Sequence, residues 1–172
     1  KTLANRDNVI IVATNQYPDT NEHQKVVIDR YSEARSILES QYNIDKARVY
    51  LAGWSAGGNF ILLSGTDPQM QQKEIAGYMV FPGAGGNTVY ANCRNNTGRK
   101  AAFYYAVGDR DTSTGYAQGV PNEARALKGL SGYGDRVNYK VWAGGTHDVI
   151  NLNGSVVDEA WSFVKPFNSV KK

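Results

Sequence analysis

The apolar positions of the chain fall into short, nearly continuous runs that are separated by polar or small-residue segments. Runs of four to eight apolar and β-branched residues are typical of strands covered on both faces. They predict strands at residues 9–14, 49–52, 76–81 and 101–107, and the alternating run at 137–142 predicts a strand at the edge of a sheet.

Segments with helical character lie between most of these runs. Residues 22–42 contain no Gly or Pro, and their apolar side chains recur at helical spacing, which predicts one amphipathic helix. The other predicted helices are the tail of one at residues 1–7, one at 56–64, one that opens at Pro121 and stops at Gly129, and one capped by Ser155 and ended by Pro166. Residues 15–21 are expected to form a loop and 87–100 to be irregular.

The order of these elements indicates the fold class. Helices of crossover length separate most of the strands, which predicts an α/β protein with a mostly parallel sheet and helices on both faces. The chain has neither repeats nor a low-complexity linker, so its 172 residues are interpreted as a single domain.

The candidate nucleophile lies between a predicted strand and a predicted helix. Gly53-Trp54-Ser55-Ala56-Gly57 fits the pattern G-x-S-x-G, in which a sharp turn strains the serine backbone and exposes its Oγ above the sheet. Gly53 and Gly57 are expected to avoid Cβ clashes with neighbouring elements. Ala56 would begin a helix and direct its free N–H at an oxyanion. The alternative is a tight turn with no catalytic role.

Polar side chains at other strand ends complete a candidate triad. Ser55, then Asp109 and Asp111, then His147 follow three predicted strands, and the carboxyl ends of parallel strands carry the functional groups in such sheets. A serine needs an imidazole to take its proton, and a carboxylate must orient that imidazole. His147 is the predicted base, whereas His23 is expected to be a surface residue. A surface turn histidine is the alternative for His147, and spacing alone leaves Asp109 and Asp111 open.

Three motifs carry a family resemblance. The segments 53–59 (GWSAGGN), 108–112 (GDRDT) and 144–148 (GGTHD) resemble the α/β-hydrolase superfamily and look most like its polyhydroxybutyrate depolymerase and feruloyl esterase branch, over residues 9–167. The resemblance implies an α/β-hydrolase fold, a Ser55–Asp111–His147 triad with Asp109 as second choice, and Ala56 as an oxyanion donor. Alanine after the nucleophile favours an esterase over a peptidase.

One feature of the superfamily has no counterpart in the sequence. Its sheet has strands before the one that residues 9–14 resemble, and a loop among them supplies the second oxyanion N–H. The resemblance therefore implies that residues 1–172 are a C-terminal portion, from about the fourth strand onward, that pairs with a preceding segment or another chain. A minimal hydrolase with its second donor in the 15–23 or 82–87 loop is the alternative.

The function implied is a serine esterase that cleaves a small-molecule or polymer-linked ester through an acyl-enzyme and requires no cofactor. A non-catalytic hydrolase-fold module or inactive fragment is the alternative, and acyl transfer would use the same triad. The net charge of +3 is too small to argue for nucleic acid, and no apolar run approaches the ~18 residues of a membrane span. Cys93 is the only cysteine, and no Cys/His cluster suggests a metal site. Composition and two N-glycosylation sequons, at Asn95 and Asn153, favour a secreted or periplasmic protein.

Overall fold

The computed structural model describes residues 3–13, 23–71, 75–113, 115–152 and 154–169. Its contacts divide the chain into two compact units, residues 1–44 and residues 45–172, and each is described by itself. The assignment of residues 1–172 to a single domain stays a prediction. Within the described ranges, no helix is both long enough and apolar enough to cross a membrane.

The first unit contains two helices, α1 (Leu3–Asp7) and α2 (His23–Gln41). Both agree with the helices predicted from the sequence pattern. On α2, the Arg35 guanidinium donates hydrogen bonds to Glu39 at 2.6 Å and to the Tyr31 hydroxyl at 2.8 Å, pairs of the (i, i+4) kind that support a helix surface. The side chain of His23 and the predicted 15–21 loop lie outside the described residues.

The strand predicted at residues 9–14 is wrong for the part that the structure describes. Residues 9–13 have no strand structure, and the side chains of Ile10, Ile11 and Val12 are 46%, 65% and 51% exposed. A β-branched run forms a strand only where a neighbouring strand pairs with it, because β-propensity largely reflects packing in a sheet. None of the strands described elsewhere in the chain pairs with residues 9–13. Thr14 lies outside the described residues.

The second unit is built on a four-stranded parallel sheet. Its strands are β1 (Tyr50–Trp54), β2 (Gly77–Phe81), β3 (Ala102–Gly108) and β4 (Val137–Trp142), in the spatial order β1-β2-β3-β4. All three pairings are parallel, and all four strands lie within two residues of the predicted runs. Every residue of β3 is buried, as expected for a strand covered on both faces.

The helices of this unit cover both faces of the sheet. They are α3 (Ala56–Gly65), α4 (Pro68–Gln71), α5 (Gly86–Asn95), α6 (Tyr116–Lys128) and α7 (Ser155–Val164), with short 3₁₀ helices at Gly134–Arg136 and Val149–Asn151. Adjacent residues of β3 show the two layers, because successive side chains of a strand point to opposite faces. The Tyr105 hydroxyl binds Glu123 of α6, whereas the Tyr104 hydroxyl binds Glu159 of α7.

Three helix predictions need correction. Residues 87–100 are not irregular throughout, because α5 occupies most of that segment and buries Val89 and Cys93, which are one helical turn apart. Helix α6 begins five residues before Pro121, so the proline lies inside the helix. Helix α7 begins at Ser155 itself, so Gly154 occupies the N-cap position that was expected for Ser155.

Candidate active site

Ser55 forms the turn between β1 and α3. Its backbone has φ 54° and ψ −125°, a positive φ that is costly for a residue with a Cβ. The turn is held from two sides: the Ser55 N–H donates to Phe81 O of β2 at 3.0 Å, and the Ser55 carbonyl accepts the N–H of Asn59 at 3.1 Å. This is the strained strand-to-helix geometry that the G-x-S-x-G pattern predicts.

The two glycines of the motif differ in what they permit. A Cβ at Gly53 would lie 2.4 Å from the carbonyl oxygen of Gly57, so a side chain at position 53 is sterically excluded. A Cβ at Gly57 would meet nothing within 4 Å, so the expectation that Gly57 also avoids a clash is wrong. The close approach lies one residue later, where a Cβ at Gly58 would be 3.0 Å from Pro82 O.

Ser55, His147 and Asp111 form one chain of hydrogen bonds. Ser55 Oγ lies 2.7 Å from Nε2 of His147, and Nδ1 of His147 lies 3.0 Å from Oδ2 of Asp111. A carboxylate can only accept, so Nδ1 carries the imidazole proton and Nε2 is left to accept from the serine hydroxyl. The Asp111 side chain is buried and its Oδ1 accepts the N–H of Ser113 at 2.8 Å, while the His147 side chain is 25% exposed.

Asp109 has a different set of contacts. Its side chain is exposed, and its Oδ1 accepts the N–H of Gly144 at 2.8 Å, while its own N–H donates to Trp142 O at 3.1 Å. Asp109 therefore joins the end of β3 to the turn that follows β4. Of the two aspartates, the structure brings Asp111 to His147, as the family resemblance implied.

Two aromatic rings that the sequence analysis did not single out lie against His147. Trp54 donates its Nε1–H to His147 O at 3.2 Å, and its ring centroid lies 5.5 Å from the imidazole at a tilt of 51°. Tyr116 stacks on the imidazole at 5.7 Å and 18°. Trp54 could have been found as the residue that precedes the serine. No sequence pattern indicated Tyr116, because the predicted helix opens at Pro121, five residues after it.

The loop after β2 is held by side chains from two helices. Asn59 Oδ1 accepts the N–H of Ala84 at 2.9 Å, and the Glu123 carboxylate accepts those of Gly85 and Gly86. Burial raises the pKa of Glu123, against hydrogen bonds from Gly86, Tyr105 and Gly85 that lower it.

These hydrogen bonds bear on the search for a second oxyanion donor. The N–H groups of Ala84, Gly85 and Gly86 are occupied, so they are not available to an oxyanion, and a donor at Gly83 or Asn87 of the same loop stays a prediction. Ala56 is the first residue of α3, where the backbone N–H has no intrahelical partner. Residues 15–22 lie outside the described ranges, so a donor in that loop stays a prediction.

No group of three or more His, Cys, Asp or Glu side chains in the described ranges could hold a metal ion. Cys93 is a buried free thiol whose pKa burial raises to about 11.

No protein-family model matches the sequence, and no curated protein matches it. A solved structure, that of a predicted CIB-like hydrolase from Thermoplasma acidophilum, is similar with a TM-score of 0.55 and 16% sequence identity. The similarity covers 86% of this chain and 61% of that one, so this chain spans about three fifths of that protein's length. The chain has an α/β-hydrolase fold. At this identity the likeness shows the fold alone.

The α/β-hydrolase fold accounts for where the three hydrogen-bonded residues lie. Ser55 follows β1 directly, Asp111 lies just beyond the end of β3, and His147 lies beyond β4, so all three occupy the carboxyl edge of the sheet. Their order along the chain, Ser, Asp, His, is the order of the triad in this fold.

Proposed function

We propose that this protein is a serine hydrolase that cleaves carboxylic esters through an acyl-enzyme on Ser55. The observation that carries the proposal is the hydrogen-bonded chain from Asp111 through His147 to Ser55, whose backbone forms a strained turn. A serine hydroxyl is a weak nucleophile until an oriented imidazole takes its proton, and this arrangement supplies both the imidazole and the carboxylate that orients it.

The chemistry follows from the distances. Ser55 Oγ attacks the ester carbonyl while its proton moves 2.7 Å to His147 Nε2, and the carboxylate of Asp111 stabilises the imidazolium that forms. The backbone N–H of Ala56 stabilises the oxyanion. The imidazolium then protonates the departing alcohol, which leaves the acyl group on Ser55. A water molecule, activated by the same imidazole, releases the acid and restores the serine.

The substrate class rests on the motifs. The segments around Ser55, Asp111 and His147 resemble the polyhydroxybutyrate depolymerase and feruloyl esterase branch, and Ala56 after the nucleophile favours esters over peptides. We therefore propose a small-molecule or polymer-linked ester as substrate.

A fluorophosphonate tests the proposal, because it phosphonylates only a serine that is activated. We expect intact mass measurement to show one adduct on the wild-type protein and peptide mapping to assign it to Ser55. Ser55→Ala is the matched variant and should show none. Wild type should also hydrolyse p-nitrophenyl butyrate, and Ser55→Ala should not.

The competing function is a hydrolase-fold module without turnover. It is favoured by one observation: the N–H groups of Ala84, Gly85 and Gly86 donate to Asn59 and Glu123, so they are not free to bind an oxyanion. Loss of one donor costs on the order of 10²–10³ in rate. A folded wild-type protein that takes no adduct would establish this alternative in place of the esterase.

A further inference from the structure

The face of the His147 imidazole is covered by a ring from the segment that carries the acid. Tyr116 stacks on it at 5.7 Å between centroids with only 18° between the planes. The bonds from Nδ1 to Asp111 and from Nε2 to Ser55 hold two atoms of the imidazole, but the ring can still tilt about the line that joins those atoms. An aromatic face against the imidazole restricts this tilt, in an arrangement that offset-stacked rings prefer.

Tyr116 is itself held by the helix that begins at the nucleophile. Asn59 Nδ2 donates to the Tyr116 hydroxyl at 2.8 Å, and Asn59 Oδ1 accepts the N–H of Ala84 at 2.9 Å. The orientation of the Asn59 amide is determined by its neighbours, because the Ala84 N–H can only donate and must face the oxygen. The Asn59 backbone N–H also binds Ser55 O at 3.1 Å, so one residue links the serine turn to Tyr116.

The same tyrosine is tied to the acid turn. Ser113 donates its N–H to Asp111 Oδ1 at 2.8 Å, and its carbonyl accepts the N–H of Tyr116 at 3.1 Å. Gly115, with φ 73°, takes the left-handed backbone that brings the chain into α6. The carboxylate that binds the imidazole edge and the ring that covers its face therefore come from one short, internally bonded segment.

We propose that Tyr116 is a positioning residue for His147 and that Asn59 acts through Tyr116. The inference rests on the proposed function, in which His147 transfers the proton of Ser55. The Tyr116 ring holds the imidazole plane so that Nε2 stays directed at Ser55 Oγ, and the Asn59 bond holds the tyrosine ring in turn. Neither residue takes part in bond making.

Kinetics of four variants and one double variant test this arrangement. Tyr116→Leu removes the ring and should lower kcat for p-nitrophenyl butyrate about three- to tenfold, with KM nearly unchanged. This factor corresponds to the interaction free energy of one aromatic pair. Tyr116→Phe removes only the bond between the two side chains, whereas Asn59→Leu removes that bond together with the acceptor of the Ala84 N–H. Each should cost less than Tyr116→Leu. Because Asn59 acts through Tyr116, Asn59→Leu should cost less in the Tyr116→Leu background than in wild type. Gln118→Leu, at an exposed position of the same helix, is the matched control and should equal wild type.

A second measurement does not depend on turnover. The proton on His147 Nδ1, in its bond to Asp111, should give a downfield ¹H NMR signal that is absent in His147→Gln. We expect the signal in wild type, Tyr116→Phe and Gln118→Leu, and its loss through exchange with water in Tyr116→Leu. Because it needs no ester, this readout tests the positioning of His147 even if the fluorophosphonate leaves Ser55 unmodified.

Three results would overturn the inference. One is a Tyr116→Leu protein that keeps both the NMR signal and kcat within about twofold of wild type. Another is the absence of the signal from wild type. The third is a double variant in which the two losses multiply, which would show that Asn59 acts independently of Tyr116. If Tyr116→Leu fails to fold, Tyr116→Phe decides the matter: a small loss of kcat supports the role of the bond to Asn59, and a kcat equal to that of wild type overturns it.

Discussion

Oδ2 of Asp111 lies 3.0 Å from Nδ1 of His147, although the two residues are 36 positions apart in the chain. Two residues before Asp111, another aspartate points its carboxylate at the backbone of Gly144 instead. The end of β3 thus carries two carboxylates with separate tasks, one of which meets the imidazole and one of which joins two turns.

This division of tasks predicts very different effects on kcat for two matched substitutions. Asp111→Asn should lower kcat for ester hydrolysis by about four orders of magnitude, because an amide cannot hold the imidazole tautomer or stabilise the imidazolium. Asp109→Asn should change kcat little, because the amide oxygen can still accept the Gly144 N–H. Steady-state kinetics of the two purified proteins, with folding checked by circular dichroism, provides the comparison. The reverse ranking would move the acid to Asp109.

The proposed triad should also be interdependent. Ser55→Ala and His147→Ala should each remove nearly all ester hydrolysis, and the double variant should be little worse than either single one, because the imidazole has no proton to take once the serine is gone. The rates of the purified variants, at protein concentrations measured by absorbance, should be compared with the uncatalysed rate. Losses that multiply would mean that Ser55 and His147 act independently, and a Ser55→Ala protein as active as wild type would end the esterase proposal.

The parts of the molecule that could be predicted from sequence are those determined by local pattern. The apolar runs of β1 to β4 and the turn at Ser55 depend on neighbours in the chain, and all five were recognised. The strand predicted at residues 9–14 does not form over residues 9–13, because a strand there depends on a partner strand rather than on its own β-branched residues. Tyr116 and Asn59 were missed for a similar reason: what joins them to His147 is a set of tertiary contacts that leaves no periodic signal.

The two glycines of the serine motif should respond differently to alanine. Gly53→Ala places a Cβ 2.4 Å from Gly57 O, a backbone atom that cannot move freely, and should lower the free energy of unfolding by about 1–3 kcal/mol or more. A Cβ at Gly57 meets nothing within 4 Å, and Gly57 lies in α3. Gly57→Ala should therefore raise the free energy of unfolding by roughly 0.5–1 kcal/mol, because alanine is favoured over glycine in a helix. Urea unfolding of both variants distinguishes them. Equal destabilisation would show that Gly57 is needed for a reason other than space.

Glu123 connects the loop after β2 to the core. It is a buried carboxyl, 8% exposed, that binds the N–H groups of Gly85 and Gly86 and the hydroxyl of Tyr105. Burial raises its pKa above the usual value of 4.5 despite those hydrogen bonds. The same burial and the nearby Glu123 charge raise the pKa of Tyr105. The structure therefore disfavours the charged carboxylate relative to the unfolded chain.

This shift predicts how stability depends on pH. Since the pKa of Glu123 is higher in the folded state, the native protein binds the extra proton between the two pKa values, and the contribution to stability is fully present below about pH 4.5 and is lost as the pH rises through the folded-state value. Glu123→Gln is neutral at every pH and lacks this loss. The free energy of unfolding of wild type minus that of Glu123→Gln should therefore fall as the pH rises from 4.5. A difference that grows with pH would mean that the hydrogen bonds outweigh burial and that the native loop prefers the carboxylate.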